Sequence, residues 1–567
     1  MADASLRTLK WWSTRFKKGG GEAYSNAYRL VNNLLESGFK IGRVVKPRDA
    51  REAGLKPGDF VIGVEEVYSE YLAKNLSEEY GVELKPLKTI DQQSVAWLRS
   101  PLIGLYSGNG VSVSYLKETV DTLLKMGFRR ISLLPGPLTL EDLRALDVLI
   151  VGGGDSFEIL RSLAKEEARM IRQFVESGGV YIGICAGALL PLKPVNVPIS
   201  AYGEIEAWSE LQVVECKLLS DTVSEPSWPV FSGRRLSGVL RTYPVTGLVK
   251  ARIMKRGLLT LGYGGELTMF HTGPIAKIAS AKQVFAKIVE PLTSVEYGVP
   301  CEEALKTIGG ASSIGFTEHG SGKIVLFFSH VESLKTPFTH GLLGNAVLLK
   351  AYSGGEKASM PSAEAVDQET LREASESCRM LKLIRDSAGK VVDQMESVVP
   401  WLYAARLPDR AMRLIMLKRA LSSILEEEDI ILSSISETVE AEKLLQELRR
   451  KKPTLLQTTV LTNNLAEWKY VVGKTRKALT PILERILKIQ EMMADFSATV
   501  VSSTGEEIEG KFDLLFNSIV GGRMVSGKTT SVSPGIVSPM LSIILNIRDS
   551  LEKTRFLRKI LTYVQPS

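Results

Sequence analysis

The chain has 567 residues, 71 Lys+Arg against 64 Asp+Glu for a net charge of +7, 44% hydrophobic and 24% charged residues. That balance excludes collagen-like, intrinsically disordered and disulfide-scaffold classes, and the length fits about three or four domains, each with its own core. Cys185, Cys216, Cys301 and Cys378 are scattered without a C-x-x-C or Cys/His cluster, so no metal site, cofactor or disulfide framework is expected and a reducing cytoplasm is the default setting.

The N-terminus is basic but lacks the continuous apolar core of a secretory signal. The uncharged runs Ser177 to Leu192 and Thr529 to Ile547 are broken by Gly, Ser, Thr and Pro, so no membrane span is expected. The positive excess is dispersed apart from the first twenty residues and Arg449-Arg450-Lys451-Lys452, which argues against a nucleic-acid partner.

Residues 1–98 read as a small mixed or β-rich domain. A helix is expected from Ala23 to Ser37, then two apolar runs on either side of a turn at Pro57-Gly58-Asp59. This string resembles the centre of a PDZ domain and equally the hairpin of the swapped-hairpin bacterial transition regulators. From Pro101 the text alternates. Apolar runs at Leu102 to Ser107, Arg129 to Pro135, Asp147 to Val151 and Val180 to Cys185 are separated by helical segments, the pattern of an α/β domain with a doubly wound parallel sheet. Residues 195–320 look more antiparallel, and a last strand ends at His330. The domain is expected to span residues 99–352, followed by a linker over 353–369. Residues 370–567 read as a mainly helical domain, with an antiparallel bundle from Thr370 to about Phe496, a Ser/Thr/Gly tail and a final helix at Ile543 to Tyr563.

Ligands of such sheets sit beyond the carboxyl ends of the strands, so the loops after Ser107, Val151 and Ile184 should line one crevice. Gly183-Ile184-Cys185-Ala186-Gly187-Ala188 follows an apolar strand and places a cysteine where strand turns into helix, between the small residues that a strained nucleophile elbow requires. Pro191 keeps that helix short. His330 ends a strand of the same domain, and Glu332 lies two residues on, on the same face if the chain stays extended. Cys185 as nucleophile, His330 as acid and base, and Glu332 as orienter form a triad. Backbone N–H groups of Gly152, Gly153 and Ala186 are candidate oxyanion donors, and Asn109, Gly154 and Asp155 are candidate substrate-binding residues along the same crevice. The reading requires sulfur and imidazole to become neighbours over an open cleft.

DVLIVGGGDSFEILRSL, IRQFVESGGVYIGICAGALL and GKIVLFFSHVES, in that order, resemble the class I glutamine amidotransferase-like superfamily, and within it the biotin protein ligase N-terminal domain type, over about Pro101 to Tyr352. The resemblance implies the flavodoxin-like amidotransferase fold, Cys185 as nucleophile, His330 and Glu332 as the H-x-E pair, and Gly152 and Gly153 as oxyanion glycines. Glutamine-hydrolysing members usually carry G-x-C-x-G-x-Q, whereas Ala188 and Leu189 follow Gly187 here, so glutamine need not be the substrate. There is no G-R-G-R-x-G biotinyl-adenylate motif and no synthetase partner domain in the chain, so biotin ligation is not implied. The expected activity is cleavage or transfer of a small-molecule amide or ester by a Cys-His-Glu enzyme. The alternative is a non-catalytic ligand-binding or scaffold protein whose helical region mediates contact with a protein partner or a second copy.

Two other signals carry less. Gly522 to Thr529, GRMVSGKT, matches the phosphate-loop pattern, but a Ser/Thr/Pro/Gly run follows where a helix is required. Trp11, Trp12 and Phe16 among basic residues read as a docking arm or a surface-seeking segment.

Overall fold

The apolar runs Ile103–Tyr106, Val148–Val151 and Val180–Ile184 are buried at every position, as strands covered on both faces must be. The computed structural model describes residues 10–15, 21–36, 39–45, 55–64, 67–87, 94–195, 206–219, 247–293, 301–350, 368–425 apart from 409, 416, 420 and 423, 455–520 apart from 504, 522–545 apart from 527, 528 and 534, and 548. It divides into two compact units, Met1–Gly355 and Glu356–Ser567, so the first 98 residues fall in the same unit as the α/β region.

In the first unit the three buried strands form the middle of a nine-stranded sheet. Its order is Glu266–His271, Gly247–Ile253, Val284–Pro291, Ser312–His319, Gly322–Phe327, Val180–Ile184, Val148–Val151, Ile103–Tyr106 and Ile131–Leu134. The last five run parallel, and the first four join them through antiparallel pairings. The sheet is therefore mixed, with helices Val113–Lys125, Leu140–Arg144, Ser156–Ser162 and Lys165–Glu176 in the connections of its parallel half and His340–Val347 after its last strand. The connection before Gly178 holds two helices, broken between Ser162 and Lys165.

A second, five-stranded antiparallel sheet takes the order Glu83–Leu87, Lys10–Arg15, Phe60–Val64, Lys40–Val44, Val95–Trp97. The segment read as a docking arm, with Trp11 and Trp12, is an inner strand of this sheet. Its helix Gly21–Glu36 is bonded to the α/β region: Tyr28 donates to Asn345 Oδ1 at 2.6 Å, and Asn32 Nδ2 donates to the Met126 carbonyl at 2.8 Å. Asn345 in turn holds the carbonyls of Leu259 and Leu261, so one buried amide ties three segments and leaves none of its own donors idle.

The second unit is helical. Helices Gln368–Ala404 and Leu455–Ser502 pack together, and Gly505–Val520 packs on the second of them through Phe496 and Phe512. That third helix and the antiparallel hairpin Gly522–Ser526 with Thr529–Ser533 lie where a loop-rich tail was expected. Residues 522–526 and 529 of the phosphate-loop pattern thus lie on strands of this hairpin, and Gly527 and Lys528 lie outside the described residues. Residues 549–563 of the expected final helix lie outside the described residues. No helix among the described residues is long and apolar enough to cross a membrane.

Candidate functional site

Cys185 sits between the strand Val180–Ile184 and the short helix Ala186–Leu189 with φ 51° and ψ −108°, backbone geometry that a side chain adopts only when its surroundings impose it. The surroundings are glycines. A Cβ on Gly187 would stand 2.0 Å from the Val151 carbonyl oxygen, and one on Gly183 would stand 2.4 Å from the Gly187 oxygen. Three bonds lock the bend: Cys185 N–H donates to the Phe327 carbonyl at 2.8 Å, Gly187 N–H to the Gly152 carbonyl at 3.1 Å, and the buried Tyr181 hydroxyl to the Gly187 carbonyl at 2.8 Å. The chain makes a sharp strand-to-helix bend at Cys185.

His330 lies three residues past the end of the strand Gly322–Phe327, held by its N–H to the Phe270 carbonyl at 2.8 Å. Its Nδ1 is 2.7 Å from Glu332 Oε1, and both side chains are fully buried. The pairing was expected through an extended chain. It forms instead on a turn, which folds the carboxylate back onto the ring that precedes it. Burial pushes the pKa of His330 down, but the charges of Glu332 and Cys185 more than offset that and raise it to about 10. Tyr115 packs on the ring at 4.2 Å between centroids, with Phe270 at 5.8 Å. Glu118 feels the same pair: burial and the charge of Glu332 raise its pKa.

Sulfur and imidazole are thus on one side of the sheet and close enough to act on one another. They make no well-aligned hydrogen bond, although Cys185 lies near enough to raise the proton affinity of the ring. His330 Nε2 has no hydrogen-bond partner, and the thiol donates to the Thr272 carbonyl at 3.1 Å. Nor does the thiol face an open cleft: Cys185 is 3% exposed, because Thr272 and Gly273 lie across it. Thr272, Gly273, Tyr115 and His271 were not picked out from the sequence. The only hint was a histidine and a glycine at the end of a strand, His271-Thr272-Gly273.

The other expected residues are brought to the same strand ends. The carbonyls of Gly152 and Gly153 accept from Gly187 and Ser112, which fixes both peptides. Gly154 has φ 155° and bridges Val111. Asp155 Oδ1 accepts from Glu158 N–H at 3.1 Å and caps the helix Ser156–Ser162, while Asn109 Oδ1 accepts from Gly110 N–H at 2.9 Å, so both side chains shape their own loops.

A Cβ on Gly153 would meet His330 Cε1 and Tyr115 Cδ2, each at 2.8 Å. Two rigid rings cannot both yield, so Gly153→Ala is expected to displace the imidazole. The overpacking carries a stability loss of about 1–3 kcal/mol, which thermal unfolding checks.

The second buried histidine makes the fold acid-sensitive. Burial, then the positive charge of His330, lowers the pKa of His271 from 6.5 to about 3. Its folded pKa is depressed, so its contribution is complete above about pH 6.5 and is lost as pH falls toward 3. The melting temperature of the wild type is expected to drop more between pH 7 and pH 4 than that of His271→Phe, measured side by side.

No curated protein matches the chain. A solved structure described as a GMP synthase subunit protein from Thermoplasma acidophilum is 14% identical, covering 44% of this chain and 94% of that one with a TM-score of 0.27. A glutamine amidotransferase from Thermotoga maritima is 10% identical, with 45% and 99% covered and a TM-score of 0.27. A beta-galactosidase from Bacillus circulans sp. alkalophilus is 13% identical, with 44% and 31% covered and a TM-score of 0.26. Residues 102–198, which carry the glycine turn and the cysteine elbow, match the family "Biotin-protein ligase, N terminal".

Proposed function

We propose that the first unit is a Cys-His-Glu enzyme that cleaves or transfers the acyl group of a small amide or ester. The observation that carries this reading is the strained, glycine-walled Cys185 beside a buried His330 that is oriented at 2.7 Å by Glu332. In the reactive form the Cys185 proton already rests on His330 Nε2, as a His330 pKa of about 10 favours, and the thiolate sulfur attacks the carbonyl carbon. N–H groups of Gly152, Gly153 and Ala186 would hold the developing oxyanion. His330 returns the proton to the departing amine or alcohol as the C–N or C–O bond breaks and the thioester remains. Water, or an acceptor amine, then attacks the thioester through the same base and frees the thiol. Glu332, 2.7 Å from Nδ1, holds that nitrogen's proton and keeps the ring aimed.

The order and direction of the five parallel strands support a doubly wound, flavodoxin-like sheet of the amidotransferase type. Asn109, Gly154 and Asp155 form the loops against which a substrate would rest, and with no Gln after the elbow that substrate need not be glutamine. Residues 1–98, packed within the first unit, and residues 370–567 are proposed as accessory to the chemistry in a cytoplasmic protein, the helical region a surface for a partner or a second copy. No cofactor is required by this chemistry. Ammonia release from a panel of primary amides, present with the wild type and absent with Cys185→Ala, tests the reading; a panel with no turnover by the wild type counts against it.

A second reading is favoured by the cover over the thiol. A site closed at rest suits a ligand-responsive module, in which case a ligand would bind without being consumed.

A further inference from the structure

We propose that His271 is a positioning residue of this site: its ring braces Ser329, and through its own chain link to Thr272 it sets the Thr272 carbonyl over the Cys185 thiol. The inference rests on Cys185 being the reactive group of the first unit. It concerns a residue that the triad chemistry does not use.

His271 is fully buried at the end of the strand Glu266–His271. Its Nδ1 is 3.1 Å from Ser329 Oγ, and Ser329 immediately precedes His330. Ser329 continues to Ser313 at 3.4 Å, which donates to the Met269 sulfur at 3.3 Å. On its other side His271 immediately precedes Thr272, whose carbonyl accepts the Cys185 S–H. His271 Nε2 makes no hydrogen bond, so the residue reaches the cover through its own chain link to Thr272. One residue therefore spans the two segments that carry the base and the cover.

The cover is tightly bounded. A Cβ on Gly273 would stand 2.3 Å from the Phe328 carbonyl oxygen and 3.4 Å from Cys185 Sγ, so this segment threads between the nucleophile and the strand that leads to His330. While the Thr272 carbonyl accepts the S–H, that proton is turned away from Nε2, and a carbonyl oxygen beside the sulfur attracts a thiol but repels a thiolate. Loosening the brace should free both the proton and the approach to the sulfur.

The test is the rate at which iodoacetamide alkylates Cys185 in the folded full-length protein, followed by peptide mass spectrometry. His271→Phe keeps the ring volume and removes the nitrogen that meets Ser329. It is expected to react about threefold to tenfold faster than the wild type, the factor one hydrogen bond is worth. His271→Asn, which keeps a polar group toward Ser329, should stay within about twofold of the wild type. Ser329→Ala cuts the same bond from its other end and should accelerate alkylation in the same direction, which preserves the test if His271→Phe does not fold. Equal rates for wild type, His271→Phe and Ser329→Ala would overturn the proposal, as would equal acceleration by His271→Asn and His271→Phe, or a Cys185 that reacts in none of the folded proteins. Alkylation reads the setting of the thiol and ammonia release reads its reaction, so acceleration without amide turnover would sustain the brace while refuting the hydrolase.

Discussion

Cys185→Ala is expected to lower amide or ester cleavage by about 10⁴-fold or more, the scale on which loss of a covalent nucleophile removes a reaction path and leaves only binding and oxyanion stabilisation. Cys185→Ser should recover little. The site places a buried imidazole beside a sulfur, and a hydroxyl holds its proton far more tightly than a thiol does. His330→Gln should cost nearly as much as Cys185→Ala, and the double variant no more than either, because residues that act as one unit are not additive. Single-turnover rates of the three variants check this. Losses that multiply would mean that Cys185 and His330 do not share a step.

The second large effect is on stability. His330 and Glu332 are both fully buried, and Glu332→Ala leaves a buried imidazole that has lost its counter-charge. Removing one partner of a buried pair costs about 3–5 kcal/mol. The pH dependence has a definite sign. The folded pKa of His330 is raised to about 10 from 6.5, so the stabilisation is complete below about pH 6.5 and disappears as pH rises through about 10. Wild-type stability, followed by urea unfolding, should therefore decline between pH 7 and pH 10, while Glu332→Ala starts lower and declines less. Parallel pH curves for the two proteins would show that the carboxylate does not hold the proton on His330.

The elements that could be read from the sequence are those whose residues carry their own surroundings. Parallel strands buried on both faces show as unbroken apolar runs, so Ile103–Tyr106, Val148–Val151 and Val180–Ile184 stood out. The elbow stood out because Gly183 and Gly187 are needed at either side of a strained residue. The contacts that complete the site are different in kind. Cys185 and Thr272 are 87 residues apart, and nothing in either stretch names the other. The approach of Glu332 to His330 looked the same on an extended strand as on the turn that makes it. Trp11 and Trp12 gave no sign of their strand because its partners, Phe60–Val64 and Glu83–Leu87, lie about fifty to seventy positions on. The hairpin at 522–533 was hidden by Gly, Ser and Thr, which read as loop although Thr and Val favour strands.

The measurement that tests the central claim most directly is the site of acylation by an activated ester such as p-nitrophenyl acetate, located by peptide mass spectrometry on the full-length protein. The account predicts an acetyl group on the Cys185 peptide that hydroxylamine removes and that His330→Gln suppresses. Acetylation spread over surface lysines with Cys185 unmodified, or a Cys185 adduct that forms equally fast without His330, would contradict it.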